Sequence, residues 1–482
     1  MRTNIFLIIF LFMISLTACN DFLETTPSAD VADSEVFKTT EGAQAALNGA
    51  YYQLRAYGSG GADRSDDYGI PSLIMTYDVC GEDMMVWGGW YSYDYSFWGH
   101  TRGDIFKTHL LWTFHYRLIN NVNNIIANID QALGSDAEKD AIKGQALALR
   151  GWAYFGLIRL FQQTYSIAKD MPGVPIYTEP TTGNTEGKPR GTVQQTYDQI
   201  LSDLETAKEL LSGYDRGNRM NTMDQSVVEG ILARVYMTMN DWSKMELNAK
   251  EARQNYTLMS KEEFQSGFND FNEEWMWGMY QTKDQSMGDY SPFAMWANWS
   301  RKCYSFECFF LNDRFVNLFD ENDIRYQFFY QWDMIWCSNK FRDNEDCIGS
   351  FVFMRSSEML LMEAEALARQ GKDNDAKQLL WELQDMRNAE RTESSGEQLI
   401  NDILVERRKE LYGEGFAWFD IIRNQTGLHR GGDHREVVDF PARSWRFVYQ
   451  IPNSEITNNK NLKEGIWPEG DQTPFDGIYT PQ

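Results

Sequence analysis

Histidine is scarce in this chain: the five in 482 residues, His100, His109, His115, His429 and His434, have the spacing of neither a catalytic triad nor a metal-ligating set. Cysteine is little used. Apart from Cys19 there are Cys80, Cys303, Cys308, Cys337 and Cys347, an odd number, and neither C-x4-C nor C-x9-C is a zinc-site spacing. A structural zinc is set aside, while a calcium ion among the acidic loops stays open. One or two disulfides suit an exported chain; Cys303 with Cys308 and Cys337 with Cys347 would close the shortest loops, and the connectivity itself is open. Positive charge is in deficit, 45 Lys and Arg against 70 Asp and Glu, and the net charge of −25 excludes nucleic acid and an anionic membrane surface as partners. There is no phosphate loop, dinucleotide fingerprint or nucleophile elbow, so no cofactor and no catalytic residue is expected. Beyond the N-terminus, no apolar run is long enough to span a bilayer.

What the N-terminus does hold is one positive charge at Arg2, an apolar run from Ile5 to Leu16, and the tetrapeptide Leu16-Thr17-Ala18-Cys19. The run is shorter than the roughly 20 residues of a spanning helix, and small residues precede the cysteine. This layout predicts a lipoprotein signal peptide over residues 1–18, cleavage before Cys19, lipidation of its thiol, and a chain anchored to a membrane without crossing it. The mixed polar residues 19–33 read as a tether leading into the folded part.

With 43% apolar and 14% aromatic residues the chain can bury a large core, which excludes disorder. Apolar residues recur at helical spacing: Ala43, Leu47, Ala50, Tyr51 and Leu54; Leu118, Val122, Ile125, Ile129 and Leu133; Ile142, Ala146, Leu149, Ala153, Leu157 and Leu160; and Tyr197, Ile200, Leu204, Ala207 and Leu211, with Gly213 placed as a stop. Two later segments pair helices across short turns, at Asn240-Asp241 and at Gly371, and the offset from Ala364 to Ala376 is that of a tetratricopeptide repeat, whose antiparallel helices pack closely where small side chains face each other. The expected fold is mostly α, a tetratricopeptide-like scaffold with hairpins near 106–162, 192–257 and 355–412 in a single domain over 34–482. Residues 58–105 and 258–350 lack a sustained helical period and are rich in aromatics, so they read as long irregular loops carrying a binding surface. Residues from Arg430 onward read as extended loop with a short strand at Phe447 to Ile451.

Several blocks, in order along nearly the whole chain, resemble the SusD/RagB family of outer-membrane lipoproteins. They are Asp21-Phe22-Leu23-Glu24 after the cysteine; Trp112 and Tyr116 with Ile119-Asn120 and Asn124-Ile125-Ile126; Gly144-Gln145-Ala146 with Leu149-Arg150; Glu406-Arg407-Arg408-Lys409-Glu410-Leu411 with Glu414-Gly415 and Trp418-Phe419-Asp420; and Ile451-Pro452 with Glu455-Ile456, Asn461-Leu462 and Trp467. Ala417, Gln450 and Asn459-Lys460 depart from the family's pattern at scaffold turns. The resemblance implies an outward-facing outer-membrane address, a glycan ligand, no enzymatic activity, and a SusC-like TonB-dependent transporter as partner. Peptide capture on the same fold and a lipid-anchored glycoside hydrolase are the alternatives.

Sugars present apolar C–H faces below a rim of hydroxyls, so aromatic rings stack on them while carboxylates and amides take the hydrogen bonds. Trp87, Trp90, Tyr91, Tyr93, Tyr95 and Trp98, interleaved with Asp83 and Asp94, form such a cluster in Gly- and Asp-rich sequence that reads as non-helical. The resemblance places ligand contacts in this stretch. A second group is Trp275, Trp277, Tyr280, Tyr290, Trp296 and Trp299, followed by Trp332 and Trp336, of which Tyr290, Trp296 and Trp299 are taken as ligand contacts. With 16 tryptophans many must pack inside, and Trp112, Trp152, Trp242, Trp381 and Trp418 lie on helical stripes. The carboxylates of Glu406, Glu410, Glu414 and Asp420 alternate with arginines that would hold them ionised, which suits buried ion pairs better than glycoside hydrolysis.

Overall fold

The computed structural model describes residues 35–55, 64–296, 308–342 and 347–462; the expected signal peptide, Cys19 and the tether lie outside the described residues. Its longer helices are α1 (Thr40–Gln53), α2 (Ile70–Val79), α3 (Phe106–Asn128), α4 (Asp136–Phe161), α5 (Val193–Leu210), α6 (Gln225–Met239), α7 (Trp242–Ala252), α8 (Ser356–Arg369), α9 (Asp373–Met386), α10 (Glu397–Leu411) and α11 (Ala417–Asn424). Local chemistry sets their ends. Capping boxes start α4 at Ser135/Glu138 and α5 at Thr192/Gln195, each satisfying two otherwise orphaned amides. Asn240 takes the left-handed conformation that ends α6, and the Asp241 carboxylate then accepts from the Lys244 amide to start α7.

Packing follows the small residues. Helix α3 lies on α4, α4 on α5, α6 on α7, α7 on α8 and α8 on α9, a run of neighbouring hairpins. At Gly144 and Gly151 a Cβ would come within 2.8 Å of Leu211 and Leu204, so α4 and α5 approach only because both positions lack a side chain. Ala364 and Ala376 are fully buried where α8 meets α9, in a cluster with Leu360, Leu380, Leu399 and Ile403. The scaffold is tetratricopeptide-like and mostly helical. Among the described residues no helix is long and apolar enough to cross a membrane.

Ten short strands complete the fold: β1 (Met84–Trp87), β2 (Pro172–Pro175), β3 (Arg190–Thr192), β4 (Trp275–Met279), β5 (Cys308–Leu311), β6 (Phe329–Trp332), β7 (Ile335–Ser338), β8 (Phe351–Arg355), β9 (Leu428–Arg430) and β10 (Val438–Phe440), among the described residues. Four of them make an antiparallel sheet in the order β1-β5-β7-β6. The described parts of the two aromatic-rich regions are more ordered than their sequence suggests: α2 lies in the first, and strands with short helices lie in the second. The strand expected at Phe447 to Ile451 is absent. Trp445–Phe447 is a 3-10 turn, and the local pairing is between β9 and β10. Neither short-loop disulfide forms, because Cys308 and Cys337 keep their thiols; Cys347 is disulfide-bonded.

A buried cluster of charge ties α10 to the strands. Glu410 accepts from Arg355 Nη1 at 2.7 Å, Arg325 Nη1 at 3.0 Å and Arg387 Nη2 at 3.0 Å, and all four side chains are sealed from solvent. Arg355 also reaches Glu274 and Glu414, and Lys340 donates to Glu414 at 2.6 Å. Burial alone would raise the Glu410 carboxyl, but Arg387, Arg355 and Arg325 overcome it and hold the group well below the usual carboxylate range. The glutamate and arginine motif of α10 is thus an ion-pair core. Gly415 follows it at φ +87, where a Cβ would stand 3.0 Å from Ile74 Cα, and its amide donates to Asp78.

Acid stability follows from these groups. Burial raises Glu365, but Arg423 and Arg369 outweigh it and bring the carboxyl down to about 2, so its stabilisation is full above the ordinary value of 4.5 and is lost as pH falls toward 2. Burial pushes His115 and His434 down to about 4, a further loss as pH falls from 6.5. Asp78 and Asp94, raised by burial to about 7 and about 6, act the opposite way, because the folded state binds their protons first; that gain ends near the unfolded value of 3.8. Thermal melts should therefore vary little between pH 7 and 5 and fall steeply below about pH 4.5. A melting temperature that keeps rising down to pH 3 would contradict this assignment.

Candidate functional site

In the four-stranded sheet, β1 runs antiparallel to β5 with Trp87 opposite Cys308, and β5 meets β7 at Leu311 and Trp336. Strands β6 and β7 form a hairpin, with Trp332 opposite Ile335, turned by Asp333 at φ 48 and Met334 at φ 67. Alternation sends Met84, Val86, Phe309 and Leu311 into the main core. The opposite face carries Cys308, Phe310 and Cys337 as a small apolar layer, with Met85, Tyr330 and Ile335 packed on it. Trp87 and Trp332 rim this layer at 61% and 53% exposure, and Met334 projects beside the second ring at 87%. Trp332 lies nearly parallel to Phe310, with ring centroids 6.4 Å apart.

The register places Ile335 beside Asn312, four residues along from Cys308, and three strand intervals separate β1 from β6. With strands about 4.8 Å apart and a rise of about 3.4 Å per residue, the Cα atoms of Trp87 and Trp332 stand at opposite corners on the order of 20 Å apart, and the Trp332 ring leans back over Phe310. Two large rings held out of the core by a rigid sheet are a costly exposure that a stacking ligand would relieve.

Beside Trp87, after Gly88 and Gly89, Trp90 stacks on Tyr93 at 6.0 Å, and Tyr93 meets Trp98 edge-on at 5.0 Å. The Arg64 guanidinium lies 4.1 Å above the Trp90 ring and 4.4 Å from Phe106, clamped by two 2.8 Å bonds to Asp66. Trp90 remains 37% exposed and Tyr93 and Trp98 are half-buried.

Other expected contacts face inward. The stretch expected to be non-helical forms a short helix, Tyr91–Tyr95, whose spacing turns Tyr91, Asp94 and Tyr95 to the core and leaves Tyr93 out. Tyr91 donates to the Ser65 carbonyl; Tyr95 pairs with His434 at 3.0 Å. Asp94 accepts from Tyr449 and lies 3.5 Å from Lys107. Asp83 is 4% exposed and gripped by Arg408. Trp296 is buried against Phe309, Phe341 and Tyr412. These five are structural, because their polar atoms or ring faces are taken by the protein itself. Tyr290 is half-buried against Tyr68, and Trp299 lies outside the described residues. Trp332 and Met334, in turn, were not picked out as contacts by sequence reasoning. Their signal is the alternation of Tyr330 and Trp332 before a two-residue turn, but that turn lacks the glycine that usually marks a hairpin.

A separate cavity of about 330 Å³ opens between α10 and α11, walled by Leu404, Val405, Leu411 and Ile421. Of its charged groups, Asp83 is held by Arg408, Asp420 by Arg407 and Arg423, and Asp78 by the Gly415 and Ala417 amides, while Arg407 Nη1 and Nη2 are buried without a hydrogen-bond partner among the described residues. Among the described residues no cluster of three or more His, Cys, Asp or Glu side chains could hold a metal ion.

Comparison with known proteins agrees with this fold. Residues 30–237 match a family described as "Starch-binding associating with outer membrane", and residues 338–466 match one described as "SusD family". The chain is 24% identical to SusD-like protein P38 of Formosa agariphila, over 95% of this chain and 98% of that protein. The crystal structure of a SusD-like carbohydrate binding protein from Bacteroides vulgatus superposes with a TM-score of 0.81 at 31% identity, covering 89% of this chain and 99% of that one. A SusD superfamily protein from Bacteroides thetaiotaomicron gives a TM-score of 0.75 at 26% identity, covering 88% and 99%. With motifs, hairpin scaffold and full-length relatives in accord, the chain belongs to the SusD/RagB family, whose members are binding proteins rather than enzymes.

Proposed function

We propose that this protein is a lipid-anchored, outward-facing outer-membrane lipoprotein that binds an oligo- or polysaccharide and passes it to a SusC-like TonB-dependent transporter. The observation that carries the reading is the pair of exposed rings, Trp87 and Trp332, on one face of a rigid sheet, with the Trp90 stack alongside. The rings supply apolar stacking surface for a sugar chain. The relative from Bacteroides vulgatus, named a carbohydrate binding protein, supports the ligand class, and the matched family description supports the outer-membrane address. The N-terminal layout ending at Cys19 supports the anchor. A hydrolase is disfavoured by Glu410, which three arginines hold ionised inside the core, far below the range a general acid needs.

The test is a binding screen of the chain lacking residues 1–19 against polysaccharides, oligosaccharides and peptides. Retention by a glycan without released sugar is expected. Peptide binding with no glycan binding would overturn the ligand class, and released sugar would indicate an enzyme. The anchor is tested separately: the Cys19→Ser variant should leave the outer-membrane fraction and appear as soluble protein, and its continued recovery with the outer membrane would rule out lipidation at Cys19 as the tether.

A further inference from the structure

Five aromatic rings stand exposed among the described residues: Trp87, Trp90, Trp332, Tyr52 and Tyr280. The first three belong to the sheet face and its adjoining stack. The other two line one cavity of about 300 Å³ between the end of α1, the end of β4 and the loop at Asn221. Its frame is rigid. The Tyr51 hydroxyl donates to Gln145 and accepts from the Met223 amide, fixing the last turn of α1 so that Tyr52 points outward at 58% exposure. Tyr280, 40% exposed, leans on Phe271 with centroids 4.1 Å apart, and its hydroxyl donates to the Asn218 carbonyl. The Gly278 amide and the Trp277 indole donate to the Met220 and Asn221 carbonyls, holding that loop against β4.

The polar groups of this cavity are open. Arg55 has no carboxylate within ion-pairing distance among the described residues; it lies 5.2 Å from the Tyr52 ring and donates through Nη1 alone, to Gln285 and to the Tyr280 carbonyl. The Asn48 Nδ2, the Asn221 side chain and the Gln285 Nε2 have no partner among the described residues. Two exposed rings, three amides with open valences and an uncompensated guanidinium in one recess match a sugar ring that bears an acidic group: the rings take its C–H faces, the amides its hydroxyls, and Arg55 its carboxylate.

We infer that the Tyr52–Arg55–Tyr280 cavity is a second saccharide site, separate from the Trp87–Trp332 face, that takes a uronate-type residue. The inference rests on the saccharide reading of the protein, and its failure can be told apart from the failure of that reading. The measurement is saturation-transfer difference NMR on the full-length protein in detergent, with galacturonic acid tetrasaccharide and the neutral galactose tetrasaccharide as probes. The double variant Trp87→Ala/Trp332→Ala should still saturate the acidic probe, and adding Tyr52→Ala and Tyr280→Ala should abolish that signal. Arg55→Gln in the Trp87→Ala/Trp332→Ala background should weaken the acidic probe about tenfold, the scale of one charge-assisted bond, and leave any neutral signal unchanged. An acidic signal that disappears in the Trp87→Ala/Trp332→Ala variant overturns the second site alone. An acidic signal that survives removal of Tyr52, Tyr280 and Arg55 does the same. No signal for the acidic probe in wild type overturns the second site, and the glycan screen described above then decides the broader reading on its own.

Discussion

Replacing Trp87 and Trp332 together by alanine should lower affinity for the retained glycan by about 100-fold, while the melting temperature moves by less than about 2 °C. Each ring is more than half exposed, so truncation removes little packing, and surface substitutions of this kind cost within about 0.5 kcal/mol. Binding, by contrast, concentrates in a few aromatic anchors, each worth about 1.5 to 2 kcal/mol when a ligand covers it, so the pair accounts for about 3 kcal/mol. Trp296→Ala is the control. That ring is buried among Phe309, Phe341 and Tyr412, and its loss should cost about 3 to 5 kcal/mol of stability whatever the ligand. Titration calorimetry with parallel thermal melts reads both quantities. A double variant that binds like wild type would remove the sheet face from the site.

Glu410→Ala should destabilise the fold as much as Trp296→Ala, a loss of about 3 to 5 kcal/mol, because it strands Arg325, Arg355 and Arg387 without the carboxylate they share. Those guanidinium groups lie at 0% or 1% exposure, where water cannot replace the missing partner. Glu410→Gln keeps the shape and loses the charge, so it should also destabilise, though by less. Urea denaturation of the chain lacking residues 1–19 measures the change. If Glu410→Ala kept wild-type stability and instead abolished a sugar-releasing activity, the carboxylate would be catalytic and the ion-pair account of the α10 motif would be wrong.

The scaffold was legible where its determinants are local. Stripes such as Ile142 to Leu160 span enough turns for the helical period to show; Ala364 and Ala376 sit at the offset that close packing requires, and the turns at Asn240 and Gly371 carry residues that tolerate positive φ. The site was legible only in part, for physical reasons. Tyr91, Asp94 and Tyr95 have helical spacing, yet five residues are too few for a period to stand out from Gly- and Asp-rich surroundings. Asp83 looks like a ligand-binding acid until the fold brings Arg408 to it from 325 residues away. The hairpin of β6 and β7 turns on Asp333-Met334, without the Asn-Gly signature, so Trp332 showed only as one more aromatic in a rich segment. Composition records how many rings there are. Which of them face solvent depends on contacts distant in sequence.

The most direct test of the account is a crystal structure of the chain lacking residues 1–19 with the retained oligosaccharide bound. Sugar rings should stack on Trp87 and Trp332, with the chain of rings crossing the Phe310 face between them. A saccharide bound elsewhere while both indoles stay bare, for example in the Leu404–Ile421 cavity beside α10, would contradict it.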